Sequence, residues 1–426
     1  MFPTAPAFLS NRLDLLVRQA GTRDVRAMWV PGRIELLGKH TDYAGGESLT
    51  CASIHGMAAI SHRHEDRSLV IVDVARGEEV VLPFEMPTAQ ISWARYPVTV
   101  LNRVIRHFGE PANGVRILMH SDLPSASGMS SSSVLVVTVL LALLAEGGYT
   151  QLPFESVEDL AGFAGAVESG ADWRTLGGDE GVGTRGGSQD HTAILCSREG
   201  MASLFGYHPI HCHERVDLPE SVALVVAGSG VKARKTGDAR AAYNRASWRA
   251  SEVARLYSQD VDEYYPHLGA MMAAPHFDLE SLRWAVPDDD LWDRFQQFER
   301  EIDDVLPRAV RALRDEDWTA FGQATARSQQ MAAEWLHNQI PETEALVGGA
   351  LASGALAASS FGAGLGGAVW ALVERGRREE FKTGWRRAYN EDYPDLAQAM
   401  VQLDEEPGVP AWTSEGGILH GMPSAS

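Results

Sequence analysis

The chain is poor in cysteine. It has three cysteines in 426 residues, Cys51, Cys196 and Cys212, and no two of them form a C-x-x-C pair. Disulfide frameworks and structural zinc sites need cysteines in larger and more closely spaced sets. The sequence therefore argues against both kinds of site.

Positive charge is also scarce. The sequence has 37 Lys and Arg against 57 Asp and Glu, which gives a net charge of −20. A protein that wraps nucleic acid needs cations to neutralise phosphates, so we expect no nucleic-acid partner. A small phosphorylated ligand is not excluded, because backbone N–H groups at the start of a helix can bind it.

Long apolar runs are missing as well. The longest covers residues 134–145, which is too short to cross a bilayer. The first residues, MFPTAP, do not have the basic region and apolar core of a signal peptide. We therefore expect no association with a membrane and a cytoplasmic location.

The segments that are present divide the chain into a strand-rich and a helix-rich half. Short runs rich in Val and Ile predict strands at residues 27–30, 48–52, 58–62, 68–74, 79–82 and 115–119. Helical spacing predicts helices at 134–145, 238–256, 290–314, 317–336 and 341–351, with further strands at 356–360 and 369–373. This pattern predicts an α+β fold with two domains, residues 1–215 and 216–404. Residues 405–426 are rich in Pro, Gly and Ser and are predicted to be a tail, either mobile or an extended edge.

Three segments rich in glycine or serine are candidate binding sites. Residues 31–46, PGRIELLGKHTDYAGG, place charged side chains between glycines after a strand, as expected of a loop that binds a small polar ligand. A solvated turn with a salt bridge is the alternative interpretation. Residues 123–133, LPSASGMSSSS, lead into the apolar helix, where free N–H groups and hydroxyls suit a phosphate and a metal ion. The alternative there is a serine-rich loop with one helix cap.

The third segment, residues 359–369, contains Gly362, Gly364 and Gly367 in the spacing G-x-G-x-x-G. A dinucleotide-binding unit would continue into a helix, whereas the residues after Gly367 have the pattern of a strand. A glycine-rich turn between two strands, close to a ligand, is the better interpretation. The sequence also contains no G-x-x-x-x-G-K-[ST] motif and no protein-kinase motifs.

Together the three segments resemble the motifs of the GHMP kinases, the superfamily of galactokinase, homoserine kinase, mevalonate kinase and phosphomevalonate kinase. Residues 31–46 are similar to the galactokinase signature P-G-R-[IV]-[ND]-[LI]-[LI]-G-E-H-T-D-Y-N-x-G. Residues 186–191, GGSQDH, resemble the catalytic segment G-G-x-x-D-Q, and the other motifs follow in the family's order over most of the chain. The resemblance implies a two-domain fold of the GHMP-kinase type with the active site between the domains.

The resemblance also implies roles for individual residues. Asp190 matches the carboxylate that accepts the proton of the sugar hydroxyl, and Arg33 matches the arginine beside it. Ser132 and Glu168 match the ligands of Mg²⁺. The implied substrate contacts are Lys39, His40, Asp42, Gly187 and Tyr243. The implied ATP contacts are Gly128, Met129, Ser130, Ser131, Ser132, Gly362 and Gly364.

Two departures from the family pattern bear on the substrate and the metal. Lys39 replaces the glutamate that accepts a hydrogen bond from the sugar's 6-hydroxyl, and an ammonium group cannot accept one. The substrate is then either an acidic sugar such as galacturonate, or Lys39 points to solvent and another group binds the 6-hydroxyl. Between Glu168 and Asp190 lie 21 residues, about ten more than is usual in the family, so Asp179 or Glu180 is an alternative metal ligand.

The expected function is therefore that of a sugar kinase that uses ATP and Mg²⁺ to phosphorylate the anomeric hydroxyl of galactose or a similar sugar. The alternatives are a galacturonate 1-kinase and a sensor that binds sugar and ATP without catalysis. The presence of Arg33, Asp190 and the serines favours an enzyme. We expect the sugar and ATP as partners, and a monomer or a weak homodimer.

Overall fold

The computed structural model describes residues 5–89, 91–124, 128–231, 238–414, 417–419 and 422. Residues 125–127 of the serine-rich segment and residues 415–416, 420–421 and 423–426 of the predicted tail lie outside this part of the chain. The strands are β1 (Arg26–Leu37), β2 (Glu47–His64), β3 (Ser68–Asp73), β4 (Glu78–Pro83), β5 (Gly114–Ser121), β6 (Met201–Gly206), β7 (His211–Asp217), β8 (Val222–Gly228), β9 (Ala357–Ser360), β10 (Ala368–Glu374), β11 (Gln402–Glu405) and β12 (Trp412–Thr413).

Helices dominate the second half and cover the faces of the sheets. They are α1 (Ser10–Ala20), α2 (Arg95–Phe108), α3 (Ser131–Glu146), α4 (Val157–Ser169), α5 (Gln189–Cys196), α6 (Asp238–Asp260), α7 (Leu268–Met272), α8 (Leu279–Ala285), α9 (Asp289–Arg300), α10 (Leu306–Arg314), α11 (Trp318–Met331), α12 (Pro341–Ala352), α13 (Arg378–Asp392) and α14 (Pro394–Ala397). The mixture of helices and strands confirms the predicted α+β fold class. Within the described residues, no helix combines the length and the apolar character that a membrane span requires.

The larger sheet has the strand order β12-β1-β2-β5-β3-β4. Strand β6 pairs with the first residues of β2, and β7 pairs with β6. Strands β3 and β5 are parallel, and the other pairs are antiparallel. Helices α2, α3 and α4 contribute apolar side chains to the core that this sheet shares with them. Helix α3 is apolar on all sides, as expected of a helix buried within the domain.

The smaller sheet has the order β11-β8-β10-β9 and is antiparallel. One of its faces packs on α12 and α13. The other face joins a core that also contains Ile34 and Leu49 of the larger sheet and Leu313 of α10. The two sheets are therefore held together by a common apolar core.

The first candidate segment differs from the predicted loop. Strand β1 continues through the motif to Leu37, and a short 3₁₀ helix, Asp42–Ala44, follows. The apolar residues Ile34, Leu36 and Leu37 are buried, which explains why the chain remains a strand here. At the other end of the chain, Trp412–Thr413 pairs with β1 as an edge strand.

A buried carboxyl group links the two sheets. Glu405 of β11 is fully buried and accepts hydrogen bonds from Ser53 Oγ at 2.8 and 2.9 Å and from the N–H of Ile54 at 3.3 Å. Burial raises the pKa of Glu405 to about 7 from an ordinary value of 4.5, although the nearby His55 works in the opposite direction. The folded state therefore binds this proton more tightly than the unfolded state does.

This shift gives a prediction for stability. Because Glu405 keeps its proton in the folded state up to about pH 7, its ionisation lowers the free energy of unfolding as the pH rises from about 4.5 to about 7. Glu405→Gln removes the titration. We expect urea unfolding to show the variant gaining stability relative to the parent protein across this range. Exposed Glu65→Gln is the matched control, and a Glu405→Gln difference that is constant with pH would contradict the prediction.

Candidate active site

Strand β1 places two charged residues of the first motif on the same face. Residues Arg33 to Glu35 pair regularly with Ala52 to Thr50 of β2, between register shifts on either side. Side chains two residues apart on a regular strand point the same way, so Arg33 and Glu35 both face the interior beside α5. Both are 3 % exposed, and both line a cavity between the two halves of the chain.

Asp190 is the centre of the polar contacts in this cavity. It lies in the first turn of α5, where the positive end of the helix dipole favours a carboxylate. Arg33 Nε donates to Asp190 Oδ1 at 2.6 Å, and Ser130 Oγ donates to Oδ2 at 2.5 Å. A further hydroxyl, Ser133 Oγ, lies 3.3 Å from Oδ2. The carboxylate of Asp190 is thus held in one orientation.

Arg33 is fixed by several groups. Its Nη1 donates to the carbonyl of Gly128 at 2.6 Å, and its guanidinium carbon lies 5.7 Å from the ring centroid of Phe361. Burial opposes the charge of Arg33, but Asp190 and Glu35 more than compensate, so the pKa of Arg33 is raised above its ordinary value. The guanidinium is therefore a permanent cation beside Asp190.

The serine-rich segment forms one wall of the cavity. Gly128, Ser130, Ser131 and Ser132 line it where α3 begins, as the second motif predicts. Ser130 has a left-handed conformation, with φ of 59°, which costs energy in a residue other than glycine. This conformation accompanies the contact of Ser130 with Asp190. Met129 does not line the cavity and packs instead into the apolar core between the sheets.

The glycine-rich turn between β9 and β10 lies against Gly128 of the serine-rich segment, since a Cβ on Gly362 would come within 3.3 Å of the carbonyl oxygen of Gly128. This agrees with the predicted turn between two strands. Gly362 has φ of 75°, and a Cβ there would come within 3.3 Å of Arg33 Nη2. Gly362 lines the cavity together with Ala363 and Leu365. Gly364, also predicted to contact ATP, packs on Asn338, where a Cβ would come within 2.3 Å of the carbonyl oxygen.

The four other predicted substrate residues meet beside Asp190. His40, Asp42, Gly187 and Tyr243 all line the cavity. The rings of His40 and Tyr243 lie 4.9 Å apart, and His40 Nδ1 lies 2.8 Å from Tyr43 Oη. A Cβ on Gly187 would come within 2.4 Å of Asp42 Oδ2, so this close approach requires glycine.

Burial determines the charge of these groups. It lowers the pKa of His40 to about 3, with a further contribution from the positive charge of Arg294, so the imidazole is neutral at neutral pH. Burial also raises the pKa of Asp42, while backbone N–H groups of Gln189 and Tyr43 work in the opposite direction. The cavity therefore presents a neutral imidazole among carboxyl groups and two arginines, Arg33 and Arg240.

Of the three candidate acidic metal ligands, Glu168 lines this cavity. It is 5 % exposed and accepts a hydrogen bond from Ser133 Oγ at 2.7 Å, and His191 Nε2 lies 3.0 Å from the same oxygen. Asp179 lies 3.4 Å from Arg103, and with Glu180 it lines a separate, neighbouring cavity. Glu168 and the hydroxyl of Ser132 line the same cavity and are oxygen ligands of the kind that Mg²⁺ prefers.

Lys39 lies in neither of the two predicted places. It is 1 % exposed, so it does not point to solvent, and it does not line the cavity that contains Asp190. Its Nζ donates to Ser359 Oγ at 2.6 Å. Burial lowers the pKa of Lys39, and the carboxyl groups of Glu35 and Glu301 work in the opposite direction. The structure therefore contradicts the solvent-exposed position and places the ammonium in the protein interior, while the substrate contact of Lys39 stays a prediction.

This environment indicates that Lys39 stabilises the folded protein. Lys39→Met leaves Glu35 and Glu301 buried without the cation between them, and we expect a loss of about 3 kcal/mol in the free energy of unfolding. The matched control is Lys382→Met, because Lys382 pairs with Glu379 and Asp404 near the surface. The control is expected to lose less than about 1 kcal/mol in urea unfolding. Equal losses in the two variants would contradict the assignment.

Sequence reasoning missed Glu35 and Gln189, which face each other in the cavity. Gln189 Nε2 donates to Glu35 Oε2 at 2.7 Å, and the backbone N–H of Gln189 donates to Asp42 Oδ2 at 3.1 Å. The signal was available, because Glu35 stands two residues after Arg33 and replaces the Asn or Asp of the signature.

Three family models match the chain. The model described as GHMP kinases N terminal domain matches residues 95–197, the galactokinase galactose-binding signature matches residues 19–62, and GHMP kinases C terminal matches residues 309–391. The chain is 25 % identical to the galactokinase of Clostridium tetani over 374 residues, covering 87 % of this chain and 89 % of that protein. It is 27 % identical to the galactokinase of Thermococcus kodakarensis over 380 residues, covering 89 % and 98 %.

Solved structures show the same fold. The galactokinase of Lactococcus lactis complexed with galactose has a TM-score of 0.79 at 20 % sequence identity, with 95 % of this chain and all of that chain covered. The mevalonate kinase of L. major, in complex with R-mevalonate, has a TM-score of 0.54 at 16 % identity, covering 89 % of this chain and 98 % of that chain. The chain therefore belongs to the GHMP kinase superfamily as a galactokinase-like member, and it is a phosphotransferase that uses an alcohol group as acceptor.

Proposed function

We propose that this sugar kinase transfers the γ-phosphoryl group of ATP to the anomeric hydroxyl of galactose or a closely similar neutral sugar, with Asp190 as the base. The observation that carries the proposal is the position of Asp190. It is held by Arg33 and Ser130 between the serine-rich start of α3 and the cluster of His40, Asp42 and Tyr243.

Asp190 acts on the attacking hydroxyl. A neutral alcohol is a poor nucleophile, and a positioned carboxylate removes its proton as the new bond to phosphorus forms. Arg33 Nε donates to Oδ1 of this carboxylate and Ser130 Oγ donates to Oδ2, so both oxygens are oriented by the protein. Arg33 places a positive charge beside the carboxylate of Asp190 and offsets the negative charge of the transferring group.

The wall opposite the sugar cluster suits the phosphates of ATP. The start of α3 offers backbone N–H groups with a favourable dipole, and Ser131 and Ser132 add hydroxyls on the cavity wall. Glycine at position 362 lets the backbone of the facing turn approach closely. Ser132 and Glu168 would hold Mg²⁺, which supplies charge neutralisation of the phosphates when it is bound.

The sugar-binding residues are proposed to be His40, Asp42, Gly187 and Tyr243. Neutral His40 and the carboxyl of Asp42 supply directional hydrogen bonds, and the face of Tyr243 supplies an apolar surface for the ring. The galacturonate alternative rested on Lys39, whose ammonium binds Ser359 outside this cavity. The sensor alternative is disfavoured because the base, its cation and the serines converge on one cavity.

The test is ADP release from magnesium-ATP with a panel of galactose, galacturonate, glucuronate, arabinose, N-acetylgalactosamine and glucose. We expect galactose or another neutral sugar of the panel to be turned over with the highest kcat/KM. Turnover of an acidic sugar in preference to the neutral ones would contradict the proposed substrate class. Binding of sugar and ATP without ADP release would favour the sensor.

A further inference from the structure

Among the described residues, one carboxylate oxygen of Glu35 accepts a hydrogen bond and the other does not. Its Oε2 accepts the hydrogen bond from Gln189 Nε2 at 2.7 Å. Its Oε1 is buried and has no hydrogen-bond partner among the residues that the structure describes. The side chain is 3 % exposed and lines the cavity that contains Asp190.

A buried acceptor without a partner is costly. Leaving such a group without a hydrogen bond costs about 1–3 kcal/mol, and more when the group is charged. The positive charges of Lys39 and Arg33 stabilise an ionised Glu35, but they do not supply the missing hydrogen bond, because Arg33 donates to Asp190 and Gly128 and Lys39 donates to Ser359. A ligand in the cavity that donates a hydrogen bond to Oε1 would remove this cost.

We propose that Glu35 is a specificity residue, which accepts a hydrogen bond from a substrate hydroxyl remote from the reacting one and makes the site select neutral sugars over uronic acids. The inference rests on the proposed function and adds the residue that decides the substrate class. It also assigns to position 35 the acceptor role that the family signature places at position 39.

The spacing along β1 supports a contact on the far side of the sugar ring. Arg33 bonds Asp190, which marks the reacting hydroxyl, and Glu35 lies two residues further along the regular part of the strand. Two residues of a strand span about 6.6 Å. That distance separates hydroxyls on opposite sides of a pyranose ring rather than neighbouring ones.

The charge around the site supports the selection against acidic sugars. Glu35, Asp42 and Asp190 all line the cavity, and Gln189 links the first two. Burial raises the pKa of Glu35 to about 7, against the opposing effects of Lys39 and Arg33. When Glu35 is ionised, a sugar carboxylate placed against Oε1 would bring two like charges together and would have no hydrogen to donate. Specificity then arises from repulsion of the wrong substrate as well as from attraction of the right one.

The test compares Glu35→Gln with the parent protein, using galactose and galacturonate as substrates and as competitors. The amide keeps the size of the side chain and can still bond Gln189, but it presents an N–H donor to the cavity. We expect kcat/KM for galactose to fall about tenfold, mainly through KM, and the preference for galactose over galacturonate to fall about 100-fold. The KM for ATP is expected to stay within about twofold, because the change is remote from the phosphates.

Two further variants control for structural damage. Glu35→Asp keeps the charge but shortens the side chain. This variant is expected to bind galactose more weakly and still to reject galacturonate. Glu405→Gln is the matched control, because it makes the same change in a fully buried carboxyl group outside the cavity. It is expected to leave the sugar preference unchanged.

The outcomes separate this inference from the proposed function. If the parent protein turns over galactose and Glu35→Gln has the same KM and the same preference, the role of Glu35 is wrong and the proposed function stands. If the parent protein releases no ADP with any sugar, the proposed function is wrong. Glu35 is then tested by calorimetry of galactose binding, where an unchanged Kd in Glu35→Gln overturns the inference.

Discussion

Asp190→Asn is expected to lower kcat for the sugar about 10³-fold while leaving the melting temperature close to that of the parent protein. The amide has nearly the same shape as the carboxylate but cannot accept the hydroxyl proton, and general base catalysis contributes about 10²–10⁴-fold. ADP release at saturating sugar and ATP measures the change. The KM for ATP is expected to change little, since the proposed partner of Asp190 is the attacking hydroxyl and not ATP.

The control for this variant is Asp304→Asn, which changes a carboxylate that pairs with Arg308 far from the cavity. It should leave kcat unchanged. If Asp190→Asn kept more than about a tenth of the parent kcat with a normal melting temperature, Asp190 would not be the base.

Arg33→Met is expected to lower kcat about 10²–10³-fold. The change removes the cation beside Asp190 and the hydrogen bond to the carbonyl of Gly128. It also removes the charge that we propose offsets the transferring phosphoryl group. Because Arg33 and Asp190 act as one unit, the double variant with Asp190→Asn should be little worse than Asp190→Asn alone. The measurement is a double-mutant cycle on kcat.

The control is Arg26→Met. Arg26 is the first residue of β1 and pairs with Glu146 of α3. This variant also breaks an ion pair of a strand residue, and its kcat should be that of the parent protein. Fully additive losses in the cycle would show that Arg33 and Asp190 act independently, contrary to the mechanism.

Much of the fold could be predicted because its signals are local. The Val- and Ile-rich runs gave most strands of the larger sheet, and the helical spacing at 341–351 corresponds to α12 (Pro341–Ala352). The glycine-rich turn was recognised because the residues after Gly367 have the pattern of a strand, which is β10. These features depend on residues that lie close together in the chain, so they can be recognised from the sequence alone.

The first motif shows where local reasoning fails. Its charged residues predicted a loop, but burial of Ile34, Leu36 and Leu37 in the core between the sheets makes it a strand. The direction of Lys39 depends on Ser359 and Glu301, which are distant in sequence and meet it through the packing of the two halves. No pattern within residues 31–46 contains that information.

The candidate site was predicted as a set of residues rather than as an arrangement. Arg33, Asp190, Ser130 and Glu168 meet in one cavity, but the hydrogen bond from Ser130 to Asp190 depends on a left-handed backbone that no residue type dictates. The contact of Glu35 with Gln189 likewise follows from the meeting of β1 and α5. The roles of all these residues remain predictions for the variants above.

The central claim is that the phosphoryl group reaches the anomeric oxygen of a neutral sugar. The most direct measurement is ³¹P–¹H correlation NMR of the product formed from magnesium-ATP and galactose. The account predicts a phosphate coupled to the proton on C1, formed by the parent protein and lost with Asp190→Asn. A phosphate coupled to protons of any other carbon, or the same C1 product from Asp190→Asn at an undiminished rate, would contradict it.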